Sequence, residues 1–78
     1  MIMETIGNRA YKEIKKQARQ NGIAPYKEAL KFGVTSHTLT DWKKGNGNPC
    51  AYYLQQMTLA GYDVIYILVG ERKDHGQA

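Results

Sequence analysis

The chain has 78 residues, 42% hydrophobic and 23% charged, with a formal net charge of +4 and a single cysteine, Cys50. That length makes one domain and buries only about 60–65% of the surface the unfolded chain exposes. A deep catalytic cleft, a second domain and an intramolecular disulfide are all excluded as expectations. Met1-Ile2-Met3 runs straight into a polar, charged segment, so no secretory leader is expected. The longest apolar run, 64–69, is far too short to cross a bilayer. The expectation is a soluble cytoplasmic protein without membrane partner or cofactor, whose positive charge favours a polyanionic partner.

In chain order, Ile6, Ala10, Ile14 and Ala18 recur every four residues with Tyr11 beside them, which predicts an amphipathic first helix closed by Gly22. Its other side carries Arg9, Lys12, Lys15, Lys16 and Arg19. That side reads either as a solvated face or as a surface near phosphates. Pro25 opens a short second helix to Phe32, with Ala29 and Leu30 facing inward, and Gly33 stops it. Thr35 or Ser36 caps a third helix, about 36–44, ended by Gly45. After the loop Gly45-Asn46-Gly47-Asn48, Asn48 caps and Pro49 opens a fourth helix running to Ala60, closed by Gly61. Asp63 caps a last apolar piece, Val64 to Val69. Its β-branched residues also suit a strand, but the cap and the four preceding helices favour helix. The predicted fold is therefore compact and all-α: five helices over 1–70, followed by a flexible polar tail, 71–78.

The stretch from Ala29 to Gly45 has the residues that a helix-turn-helix requires. Ala29 is small where two helices cross, Gly33 can take positive φ, Val34 plugs the corner, and Leu39 with Trp42 anchors the second helix. The pattern Ala29-x3-Gly33-Val34-x4-Leu39-x2-Trp42-x2-Gly45 resembles the lambda-repressor/Cro-type helix-turn-helix family of phage and bacterial regulators. The ending Leu59-Ala60-Gly61-Tyr62-Asp63 and the run Tyr66-Ile67-Leu68-Val69-Gly70 resemble its fourth-to-fifth helix junction, so the likeness covers about residues 23–70. It implies a five-helix lambda-repressor-like domain that inserts its third helix into a DNA major groove. Two departures stand out. Pro25-Tyr26 stands where the family often has Gln or Thr on a phosphate, and Lys43 follows the Trp where an acidic residue is usual.

With Leu39 and Trp42 turned inward on a 100° wheel, Ser36, His37, Thr40, Asp41 and Lys44 form one outward stripe. Lys44 and His37 can donate to purine acceptors, while Ser36 and Thr40 can donate or accept. Asp41 can accept from cytosine N4 or pair with Lys44 or Lys43. Tyr26, Lys27, Lys43, Asn46 and Asn48 are the candidate phosphate contacts, with the first amides of the fourth helix. Tyr52 and Tyr53 can add hydroxyl contacts, or one of them can pack into the core. His37 has no ligand-spaced partner, so no metal is expected.

One recognition helix covers only about 4–5 base pairs, so two copies on a palindromic double-stranded operator are expected. The last helix is apolar all round. Val64, Ile65 and Leu68 can cover the core, leaving Tyr66, Ile67 and Val69 for a homodimer interface, unless Tyr66 and Ile67 pack back on the first helix. The expected function is a sequence-specific, Cro-like repressor controlled by its own concentration, with no small-molecule ligand. An alternative is a DNA-binding antitoxin or protein-interaction module that offers the same apolar segment to another protein. No nucleophile–base pair is readable and the Gly45–Asn48 loop joins two helices, so no enzyme activity is expected.

Overall fold

The computed structural model describes residues 4–71; the expected tail lies, beyond Glu71, outside them. Five helices and no strand occur among the described residues: α1 (Ile6–Asn21), α2 (Pro25–Leu30), α3 (Ser36–Lys44), α4 (Ala51–Leu59) and α5 (Val64–Val69). No helix there is long and apolar enough to cross a membrane.

The first helix is the element on which α2, α3 and α5 all pack. Thr5 caps it reciprocally with Asn8: the Asn8 N–H donates to Thr5 Oγ1 at 3.0 Å, and the Thr5 N–H donates to Asn8 Oδ1 at 3.0 Å. Of its stripe, Ala10, Ile14 and Ala18 are buried and Ile6 is half-buried, and Ala10 and Ile14 join Ala29, Val34, Leu39, Trp42, Met57 and Ile67 in one core. Gly22 ends it in the left-handed region.

Four expectations are corrected. The second helix stops at Leu30, two residues early, and Leu30 is exposed, because a turn through Gly33 (φ +81°) brings Phe32 inward instead. Phe32 then meets Tyr62 edge-on at 5.3 Å. The fourth helix begins at Ala51 after Cys50, because Asn48 is used elsewhere: its Oδ1 accepts the Gly7 N–H at 2.9 Å. In α5 Val64 covers the core and Val69 is exposed as expected, but Ile65 and Leu68 change places with Tyr66 and Ile67. Ile67 is fully buried and Val64 and Tyr66 pack on the core, whereas Ile65, Leu68 and Val69 are exposed. Ile67 therefore cannot serve a second copy, and the exposed apolar face is Ile65–Leu68–Val69. In a run with no polar residue, the sequence alone offers nothing to tell one side from the other.

Glu28, almost fully buried, ties α2 to its neighbours. Its carboxylate accepts the Tyr62 hydroxyl at 2.6 Å, the Lys31 ammonium at 2.9 Å and the Asn21 amide at 3.1 Å. Burial by itself raises the Glu28 pKa, but these three hydrogen bonds outweigh it and hold the carboxyl below its ordinary range. Burial and the bond to Glu28 push the Tyr62 hydroxyl up. A depressed carboxyl stabilises the fold fully above the ordinary glutamate pKa, and this contribution is lost as the pH falls through the depressed value. The melting temperature of the native chain should thus fall on acidification below about pH 4 more steeply than that of Glu28→Gln, as followed by circular dichroism.

Gly7 lies where α1 packs tightly against α3 and the loop that follows it. A Cβ there would lie 2.0 Å from the Gly47 carbonyl oxygen and 3.3 Å from the Trp42 Cα. Gly7→Ala gains helix propensity but forces two backbones apart. It should cost about 2–3 kcal/mol, read as a melting temperature lower by about 10–20 °C.

Candidate nucleic-acid interface

The third helix is fixed along one side and at both ends. Leu39 and Trp42 are buried, and the indole meets Tyr53 edge-on at 5.8 Å. Tyr53 is thus the tyrosine of the 52–53 pair that packs on the core, and Tyr52 is exposed. At the N-terminus, Thr35 Oγ1 accepts the Thr38 N–H at 3.2 Å. At the C-terminus, Gly45 turns the chain at φ +82° and the Asn46 N–H donates to the Asp41 carbonyl at 2.9 Å. Asn8 completes this end: its Nδ2 donates to the carbonyls of Trp42 at 2.9 Å and Lys43 at 3.0 Å. These bonds occupy carbonyls that a helix end leaves without intrahelical partners.

The side of α3 away from Leu39 and Trp42 is polar and open. Ser36, His37, Thr40 and Lys44 are exposed and Asp41 is half-buried. Asp41 pairs with His37, Oδ2 lying 3.6 Å from Nε2, and not with Lys43 or Lys44 as the sequence suggested. One helical turn puts position 37 directly beside 41, while Lys43 leans away over the Tyr11 ring. The pair leaves His37 largely in solvent. At such exposure it contributes little to stability.

The candidate phosphate residues divide. Tyr26, Lys27 and Asn46 are exposed near helix ends. Lys43 leans back over α1, its Nζ 5.8 Å from the centre of the Tyr11 ring. Asn48 is a structural contact, since its Oδ1 accepts from Gly7. No side chain caps the first turn of α4, so its leading amides receive no side-chain acceptor there. Among the described residues, no three His, Cys, Asp or Glu side chains group as metal ligands would.

Sequence reasoning missed Asn8 and Arg9. The Arg9 Nε donates to the Ile67 carbonyl at 2.9 Å and its Nη2 to that of Leu68 at 3.2 Å, so this guanidinium serves the end of α5 rather than the open basic face of α1. The Thr5-x-x-Asn8 spacing was a readable signal for the α1 cap. No spacing links Asn8 to α3 or Arg9 to α5.

Among its described residues the chain is all-α, five helices with one well-held polar helix. No protein-family model, no curated protein and no solved structure matches it. Asn8→Ala removes a cap, takes the side-chain donor from the Lys43 carbonyl and leaves the Trp42 carbonyl with the Gly45 N–H. It should cost about 1–3 kcal/mol, with faster amide exchange in the last turn of α3 than elsewhere in that helix.

Proposed function

We propose that this chain is a sequence-specific double-stranded DNA-binding regulator, with α2, the Gly33 turn and α3 acting as a helix-turn-helix in a lambda-repressor-like domain. The observation that carries this reading is that α3, anchored by Leu39 and Trp42 and capped at both ends, turns Ser36, His37, Thr40 and Lys44 outward together. A helix that presents side chains to base edges must not rock, because each hydrogen bond to a base depends on direction as well as distance. Ser36 and Thr40 supply donors and acceptors, Lys44 a donor for guanine. His37 offers a ring N–H to purine N7. The Asp41 carboxylate, drawn against His37, is also a means of rejecting bases without an exocyclic amine.

Sequence-independent affinity comes from Lys27, Lys43, Tyr26 and Asn46, with the uncapped start of α4 as a backbone donor for a further phosphate. The net charge of +4 gives the same sign to long-range attraction. Two copies joined through the exposed Ile65, Leu68 and Val69 of α5 would set two α3 helices in successive major grooves, about 34 Å apart. With no effector site invoked, occupancy of an operator follows the concentration of the protein itself, as in a Cro-like repressor. The antitoxin reading shares the DNA interface and differs only in giving that α5 face to another protein.

Selection of bound duplexes from a random pool should return a palindrome whose half-sites lie about one helical turn apart. On the selected sequence His37→Ala or Thr40→Ala should cost about 1–3 kcal/mol, with little change on random duplex, measured by fluorescence anisotropy. Equal losses on both would mean that these side chains do not read bases.

A further inference from the structure

Beside the reading helix, α1 and the end of α3 enclose an open groove of about 420 Å³, lined by Glu4, Asn8, Tyr11, Lys12, Lys15 and Lys43. Asn8 is committed on all sides: its amide donates to the α3 carbonyls and its oxygen accepts from Thr5. The Tyr11 ring forms one wall, with the Lys43 ammonium above it. Three lysines and one carboxylate give the groove an excess of positive charge. Lys15 also lines a second, adjoining hollow with Arg19 and Pro25 at the start of α2, so the basic lining continues along α1. From Lys12 to Arg19 it extends about 10 Å at 1.5 Å per residue. Of the basic side chains in this lining only Lys12 is ion-paired among the described residues, to Glu4, and the hydrogen bond between them is the chief cause that raises the Lys12 pKa above its ordinary value; Glu4 also lies 3.9 Å from the Arg9 Nη1.

We propose that this groove holds a phosphodiester of the nucleic-acid backbone flanking the bases that α3 reads, and that Glu4 occupies Lys12 as a built-in competitor for it. The inference rests on the proposed reading of α3 and extends its contacts to a different helix. Lys43 joins the two surfaces, since it belongs to α3 and lies over the α1 side chain Tyr11. A phosphate entering between Lys12, Lys15 and Lys43 gains three flexible ammonium donors, which recognise charge without reading sequence. It must first displace the Glu4 carboxylate from Lys12. An exposed pair of this kind is weak in water, so exchange is easy and the competition is graded. Tyr11 contributes a hydroxyl and a ring face but no charge.

The test uses the full chain and fluorescently labelled duplexes, the selected sequence and a random one, titrated across a range of salt. Lys12→Gln and Lys15→Gln should each weaken both duplexes alike, by about 3–10-fold at about 0.1 M salt, and each should reduce the slope of log K against log salt by about one. Glu4→Gln should act in the opposite direction, tightening both duplexes by about 2–5-fold. All three side chains lie at the surface, and unchanged helicity and melting temperature verify the fold. Unaltered affinity and slope in the lysine variants, losses confined to the selected sequence, or weakening by Glu4→Gln would each overturn the groove while leaving the reading of α3 intact. So would loss of polyglutamate binding by the lysine variants with duplex binding retained, which would assign the groove to an acidic peptide. If the unaltered chain binds no duplex, the reading of α3 fails first and the groove proposal falls with it, before any variant is compared.

Discussion

The first turn of α1 holds the ends of two other helices, and the placement of the polar surface depends on it. Three consecutive residues share the task. Gly7 lets the backbone of the 45–48 loop approach, Asn8 donates to the last carbonyls of α3, and Arg9 donates to the last carbonyls of α5. A helix C-terminus carries a partial negative charge from carbonyls without intrahelical partners. A short helix feels that cost across much of its length, and α3 and α5 have only nine and six residues. Helices this short are unstable alone. They persist here because α1, sixteen residues long and capped at both ends, supplies both an apolar stripe and polar donors.

The second helix is fastened differently. It is six residues long and its N-cap, Ala24, provides no side-chain hydrogen bond. Stability comes from Ala29 and from the buried carboxylate of Glu28, which is satisfied on both oxygens by the end of α1, by Lys31 just after α2 and by the α4–α5 junction. A buried carboxylate is tolerated only when so satisfied, and leaving one without donors is far more costly than never burying it. The same cluster locates Tyr62, and Tyr62 locates Phe32 by edge-on contact. The turn that carries α3 is thereby held from beneath by an ionic centre and a ring pair, while its outer surface stays free. The surface of α3 can be almost wholly polar because two large residues, Leu39 and Trp42, provide most of its apolar contact.

Helix number, order and most boundaries were legible from Thr, Asp and Gly at expected cap positions and from the four-residue stripe of α1. Gly22, Gly33, Gly45, Gly61 and Gly70 all have positive φ, the conformation for which glycine is the ordinary choice. The outward row of α3 was legible too, because two apolar residues three apart define the inner side of a nine-residue helix. Where residues were all of one kind the reading failed. In α5 six apolar side chains left the buried face undetermined, and Ile67 was assigned to the wrong side. Asn48 looked like the cap of the next helix and instead accepts a hydrogen bond from Gly7, forty-one positions earlier.

The distinction follows from the range of the forces involved. Caps, glycine turns and amphipathic stripes act within about one or two helical turns, so the order of residues determined the five helices and the polar side of the third. Partner choice for Asn8, Arg9, Glu28 and Asn48 depends on which helix ends come within hydrogen-bonding distance once the core has closed. Only the tertiary structure decided those contacts, the buried face of α5, and the groove that Lys12, Lys15 and Lys43 form together. Side chains 28 or more positions apart in the chain meet there because apolar burial brings α1 and α3 together, and no local pattern records that meeting.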